Sequence, residues 1–154
     1  MEAATLNIRL ANVNDIDQLI KLRLDMRTES EPDINLNEMK TATIDFFNRK
    51  LDNQTHLEFI AEENSKIVST LGASLFELPP ITSAMNGKTA RMINLYTIPE
   101  FRRKGIATQL LFFAINHLRE LGYAKITIHP SEIGKKLFKK NDFIVSDGEY
   151  HKNI

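Results

Sequence analysis

The chain has 154 residues, 42% hydrophobic and 26% charged, with no cysteine and a formal net charge of zero. That length favours one domain, 1–154, with a core of its own, and the lack of cysteine excludes a disulfide framework, a thiolate metal site and a Cys nucleophile. No apolar run approaches the roughly 18 residues that span a membrane, and Met1-Glu2-Ala3-Ala4-Thr5 lacks the basic and apolar regions of a signal peptide, so we expect a cytoplasmic protein with no membrane partner.

Leu6-Asn7-Ile8-Arg9-Leu10 alternates and predicts a first strand. Asn12 or Asn14 caps a helix carrying Ile16, Leu19, Ile20, Leu22 and Met26, which Pro32 breaks. A second helix is expected from about Leu36 to Leu51. The runs 56–61 and 66–71 flank the polar stretch Glu62-Glu63-Asn64-Ser65, a hairpin signal, and the second run can continue to Glu77. Pro79-Pro80 through Gly87 reads as a loop. Met92-Ile93-Asn94-Leu95 predicts a strand, Thr108 to Leu121 a helix ended by Gly122, and Lys125 to His129 another strand. A helical connection makes those two strands parallel, with a right-handed crossover. Ser131 caps a short helix through Lys140, and Phe143-Ile144-Val145 starts a last strand region ending near Tyr150. The order predicts an α+β fold with a mixed central sheet of about six or seven strands and about four helices.

Charge is unevenly divided. Residues 1–87 hold 8 Lys and Arg against 14 Asp and Glu, a formal −6; residues 88–154 hold 12 against 6, a formal +6. The C-terminal part is therefore expected to favour an anion and the N-terminal part a cation. Within the basic part, Tyr96-Thr97-Ile98-Pro99-Glu100-Phe101-Arg102-Arg103-Lys104-Gly105-Ile106-Ala107 lies where a strand hands over to a helix. The first N–H groups of a helix lack partners and carry the positive end of its dipole, so such a turn suits a phosphate or pyrophosphate. A Walker loop and a G-x-G-x-x-G fingerprint are both absent. No aromatic platform or recognition helix supports nucleic-acid binding, and no metal-ligand spacing occurs.

The run from Asn94 to Ala107 resembles motif A of the GNAT superfamily of acyl-CoA N-acyltransferases, whose pattern of Arg or Gln, two residues, Gly, one residue, then Gly or Ala is met by Arg102, Gly105 and Ala107. The resemblance is specific over 92–143, and the element order before it also fits. It implies a three-layer fold in which two parallel strands splay around a cofactor cleft. It implies that amides of Arg103, Lys104, Gly105, Ile106, Ala107 and Thr108 hold the pyrophosphate of acetyl-CoA, with Arg102, Arg103 and Lys104 supplying charge. The Leu95-Tyr96-Thr97 backbone would bond the pantetheine arm as an added strand, Thr97 or a neighbour would supply the oxyanion donor, and Ser131 and Phe138 would be among the coenzyme-binding residues. No metal is implied. The acceptor would be a primary amine of a small molecule or peptide, with a homodimer as the partner that family members often form.

One departure bears on mechanism. Many family members carry a Tyr that protonates the leaving thiolate; here Phe138 stands at that position and Asp142 replaces a Gly. Tyr96 and Tyr150 are the other candidate acids, beside packed-aromatic roles for each. Glu29, Glu31 and Glu77 are candidate bases, each otherwise a surface carboxylate. His117 reads as structural, His129 as packed or solvated beside the cleft, and His56 and His151 show no partner. The Lys135, Lys136, Lys139 and Lys140 run either meets the nucleotide phosphate or is a solvated face. Two functions follow: an acetyl-CoA-dependent N-acetyltransferase, with Tyr96 and Glu29 as catalytic candidates, or a coenzyme A-binding sensor module with little catalysis.

Overall fold

The computed structural model describes residues 5–146 and 152–154. Strand β1 (Asn7–Leu10) leads through a short 3-10 turn, Val13–Asp15, into helix α1 (Ile16–Ser30). Asn12 starts this segment with a capping box: its side chain accepts from the Asn14 amide, and the Asp15 carboxylate accepts from the Asn12 amide at 2.8 Å. Asp15 also takes both terminal nitrogens of Arg9, at 2.8 and 2.9 Å, and Arg9 reaches Glu62 on the next strand. One arginine therefore ties β1 to the head of α1 and to β2. Helix α2 (Leu36–Lys50) follows, capped by Asn35.

Strands β2 (His56–Glu63) and β3 (Lys66–Glu77) form the expected hairpin. Its turn residues, Asn64 and Ser65, have φ of 51° and 63°. Two successive left-handed residues match the strand twist in a two-residue turn. Strand β4 (Lys88–Thr97) pairs antiparallel with β3, helix α3 (Ile106–Glu120) follows a 3-10 turn at Pro99–Phe101, and β5 (Lys125–Ile128) pairs parallel with β4. Gly122, at φ 84°, ends α3: the amides of Gly122 and Tyr123 return to the carbonyls of Arg119 and Leu118. Helix α4 is Lys135–Lys140.

Among the described residues the sheet has five strands, in the order β1-β2-β3-β4-β5, fewer than the six or seven expected. The predicted last strand accounts for part of the difference. Residues 143–146 form no strand, and Ile144 and Val145 are exposed with no neighbouring ladder; the remainder of that prediction, with Tyr150 and His151, lies outside the described residues. The three layers are clear in the packing. Leu19, Leu22 and Phe47 of α1 and α2 cover one sheet face, packing on Ile60, Val68 and Tyr96. Leu110, Leu111, Ala114 and Leu118 of α3, with Phe138 of α4, cover the other, packing on Phe59, Leu71 and Met92.

Two irregularities position the site. From Gly72 to Thr70, β3 spans two residue steps while β4 spans three, from Ile93 to Tyr96. Strand β4 therefore carries one extra residue, and Asn94 sits there at φ 58°, a β-bulge that bends the strand. The pairing of β4 with β5 stops just before it, at Met92 and Ile128. From Ile93 to Thr97, β4 presents an edge with no strand beside it among the described residues.

Candidate active site

The turn after β4 is built from backbone conformation. Arg103 and Gly105 are both left-handed, at φ 61° and 76°, with Lys104 between them. Alternating hands over successive residues turn their N–H groups toward one concavity that suits an anion. Helix α3 begins at Ile106, two residues earlier than the sequence pattern suggested, so Ile106, Ala107 and Thr108 form its first turn. None of the amides from Arg103 to Thr108 donates to an acceptor among the described residues; the first helical amide with a partner is Gln109, to the Gly105 carbonyl at 3.1 Å. A Cβ built on Gly105 meets no protein atom within 4 Å. Glycine is not needed there for room inside the protein; it is needed for the positive φ and for whatever approaches from outside.

The side chains around the turn divide their work. Lys104 lies over the Phe101 ring, 4.7 Å from its centroid, and Arg103 is exposed. Arg102 points the other way. Its Nε donates to the Thr97 carbonyl at 2.8 Å, and its Nη2 donates to both oxygens of Glu29, at 3.0 and 2.9 Å. The Tyr96 hydroxyl donates to the same carboxylate at 2.6 Å. Glu29 stands near the end of α1, so this group joins that helix to the β4–α3 turn. The Tyr96 bond, then Arg102, holds the Glu29 carboxyl below its usual range against a smaller desolvation penalty. Burial, then the Glu29 bond, raises the Tyr96 phenol well above its ordinary value. Between α1 and this turn lies a cleft of about 170 Å³, lined in part by Lys21, Asp25, Tyr96, Pro99 and Glu100.

Other sequence candidates fall elsewhere. Glu77 pairs with Lys88 at the opposite end of β4 from Thr97, roughly 30 Å away at about 3.3 Å per residue. Glu31 is the C-cap of α1 and bonds Arg27. Phe138 is buried, edge-on to Phe143 at 5.2 Å, within the core under α3. Ser131 accepts the Gly134 amide at 3.2 Å and opens the turn that leads into α4, and the four lysines of that helix are exposed. His117 is stacked on Phe113 and edge-on to Phe59, a packed aromatic. Among the described residues, no group of three His, Asp or Glu side chains is placed to hold a metal, and no helix is long and apolar enough to cross a membrane.

His56 needs a correction, because it does have partners. Its Nε2 lies 2.8 Å from Glu58 Oε1 and its Nδ1 2.9 Å from Ser74 Oγ, with both His56 and Glu58 buried. The sequence held a signal for this pair: two polar residues two apart, on the strand face that continues into Ile60. Asn94 was also readable only as a strand residue, although Asn tolerates the left-handed conformation that the bulge requires.

With the geometry in place, the comparisons decide the family. The model of the Acetyltransferase (GNAT) family matches residues 16–143. The chain belongs to this family. Among solved structures, a predicted acetyltransferase with acetyl-CoA from Clostridium acetobutylicum is 31% identical, with a TM-score of 0.88 over 97% of this chain and 96% of that one. A GCN5-related N-acetyltransferase from Ralstonia eutropha is 24% identical, with a TM-score of 0.87 over 97% and 99%. The aminoglycoside N-acetyltransferase AAC(6')-Iy, in complex with CoA, shares the fold at 15% identity and a TM-score of 0.76, over 99% and 97%. No curated protein matches the sequence. The mixed sheet flanked by four helices is thus the fold this GNAT chain shares with these structures.

Proposed function

We propose that this chain is an acetyl-CoA-dependent N-acetyltransferase that moves the acetyl group to a primary amine of a small molecule or peptide by direct attack. The observation that carries the reading is the row of amides from Arg103 to Thr108, at the head of α3, that meet no acceptor among the described residues, beside a β4 edge with no described strand along it. Those amides, with Gly105 leaving the approach clear, would bond the diphosphate, and Arg103 and Lys104 would add charge. The edge from Leu95 to Thr97 would bond the pantetheine amides as a strand does. Support comes from the Clostridium structure, which holds acetyl-CoA, and the aminoglycoside enzyme, which holds CoA.

Fixing the thioester against a strand edge leaves the amine only to approach. Such positioning contributes on the order of 7–11 kcal/mol at best. A backbone N–H near Thr97 would bond the oxygen as it becomes anionic. Tyr96 and Glu29 act here as a pair that holds the end of α1 on the turn through Arg102. A phenol that donates to a carboxylate and keeps its proton more tightly than usual is a weak acid, so solvent protonates the thiolate. The test is thiol release from acetyl-CoA with a panel of amines. Release that depends on the amine, with an acetylated product, supports the transferase. Phe138 in place of a Tyr favours the second reading, a coenzyme A-binding sensor, and that reading predicts coenzyme binding with only slow, amine-independent hydrolysis.

A further inference from the structure

Next to the β4 bulge, β2 and β3 bury a polar network that an ordinary hydrophobic sheet face lacks. Glu58 and His56 are 3% and 1% exposed. Glu58 Oε1 accepts from His56 Nε2 at 2.8 Å, and Oε2 accepts from the Thr70 hydroxyl at 2.6 Å. Ser74 Oγ lies 2.9 Å from His56 Nδ1, and the Phe46 ring of α2 lies edge-on to the imidazole at 4.9 Å. A buried carboxylate costs several kcal/mol unless it is paired and bonded.

The backbone makes room for the pair. Gly72 of β3 faces it, and a Cβ there would stand 2.8 Å from Glu58 Oε1 and 3.0 Å from His56 Cε1. A Cβ there would push the carboxylate and imidazole out of these positions, so the pair as bonded needs a residue without a side chain beneath it. Gly72 pairs with Ile93, the residue before the bulge. The Glu58 carboxylate thus stands over β3, the strand beside the residues of β4 where the open edge begins. It also lines a cavity of about 10 Å³ with Arg23, Thr70, Asn94 and Tyr96, about the least space that holds one water. A carboxylate offers about four acceptor positions, and the network uses two.

We propose that Glu58 accepts the proton of the acceptor amine through one water in this cavity, with His56 as the residue that positions it. The inference rests on the transferase reading above. An ammonium R–NH3+ passes one proton through the water to Glu58. The neutral nitrogen forms the C–N bond, the C–S bond breaks, and sulfur leaves as thiolate. The surplus proton on the new amide nitrogen goes to the thiolate by way of solvent, and Glu58 returns its own proton to solvent. The charged and titratable groups facing the carboxylate are Arg23 from α1, His56 from its own strand and Tyr96 from β4; α2 contributes the apolar Phe46 and Phe47. Arg23 donates to Asn94 Oδ1 in the bulge rather than to Glu58.

The test is the pH dependence of kcat/KM for an amine from the panel, with the wild-type chain, Glu58→Gln and Thr70→Val, and coenzyme affinity by calorimetry as the control. The glutamine keeps the shape and a hydrogen-bonding oxygen. We expect Glu58→Gln to bind acetyl-CoA within about twofold of wild type and to lose roughly 10²–10⁴ in kcat/KM, with the acidic limb of the profile abolished. Thr70→Val removes one bond to the charged form, so the limb moves to higher pH; this variant decides the matter if Glu58→Gln does not fold. Full activity and an unchanged profile in Glu58→Gln, or an unmoved limb in Thr70→Val, overturns the inference. A wild-type chain that binds acetyl-CoA and acetylates no amine fails the transferase reading first, and this inference with it.

Discussion

Substituting Gly105 by alanine separates a binding loop from an ordinary turn. The residue sits at φ 76° and ψ 5°, and an added Cβ meets no protein atom within 4 Å. The fold therefore feels only backbone strain, about 1–2 kcal/mol for a left-handed L-residue, offset by about 0.4–1 kcal/mol from a stiffer unfolded chain. The net loss of about 1 kcal/mol lowers Tm by roughly 2–4 °C in a chain of this size. Coenzyme binding should suffer more, because the methyl stands where the diphosphate would approach the partnerless amides. Losing one hydrogen bond to a charged group costs about 1.5–3 kcal/mol, a drop in affinity of roughly 10- to 150-fold. Thermal melting and calorimetry with acetyl-CoA on wild type and Gly105→Ala read both quantities. An affinity unchanged within twofold, together with the small fall in Tm, would falsify the cradle and leave Gly105 a turn residue.

Asp15→Asn removes the carboxylate that takes two bonds from Arg9 and one from the Asn12 amide, and urea unfolding at pH 7 should show a loss of about 1–3 kcal/mol. The Arg9 bond holds the Asp15 carboxyl below its usual range, with burial opposing it. Its contribution is thus complete above the unfolded value of about 4 and fades as pH falls through the lower folded value, so the gap between wild type and variant should close in acid; a constant gap contradicts the pairing. Tyr96→Phe cuts the phenol–Glu29 bond and, since solvent supplies the thiolate proton in our account, should lower kcat by less than about tenfold, whereas a loss near 10²–10⁴ makes Tyr96 the acid. Phe138→Ala empties a core position that is 4% exposed and should cost about 3–5 kcal/mol, read as a Tm fall of roughly 10 °C; a stable variant would place Phe138 outside the core.

What could be read in advance follows from how local each signal is. Alternation and capping residues placed β1 to β5 and α1 to α4 within a few residues, since strand and helix periods are written in adjacent side chains. The basic turn was legible for the same reason: Arg102 to Ala107 is one contiguous run. Contacts between distant segments were not. Nothing adjacent to Glu29 announces that it meets Tyr96 and Arg102, some seventy residues on. Glu58 and His56 are explained only once Gly72 of another strand lies beneath them. The bulge at Asn94 depends on the register of β4 against β3, which pairing sets rather than composition. The unobserved strand at 143–146 shows the converse. Phe143-Ile144-Val145 has strand propensity, but with Ile144 and Val145 exposed no neighbouring ladder satisfies it.

The central claim is that the amides from Arg103 to Thr108 receive the diphosphate of an acyl donor. Isothermal titration of the folded chain at low salt, with acetyl-CoA in one run and with pantetheine lacking the diphosphate in another, tests it most directly. Our account predicts that acetyl-CoA binds more than tenfold tighter, as even one charge-assisted bond would give, and that its affinity weakens as salt is added. Equal affinities, or no heat from acetyl-CoA at all, would contradict it.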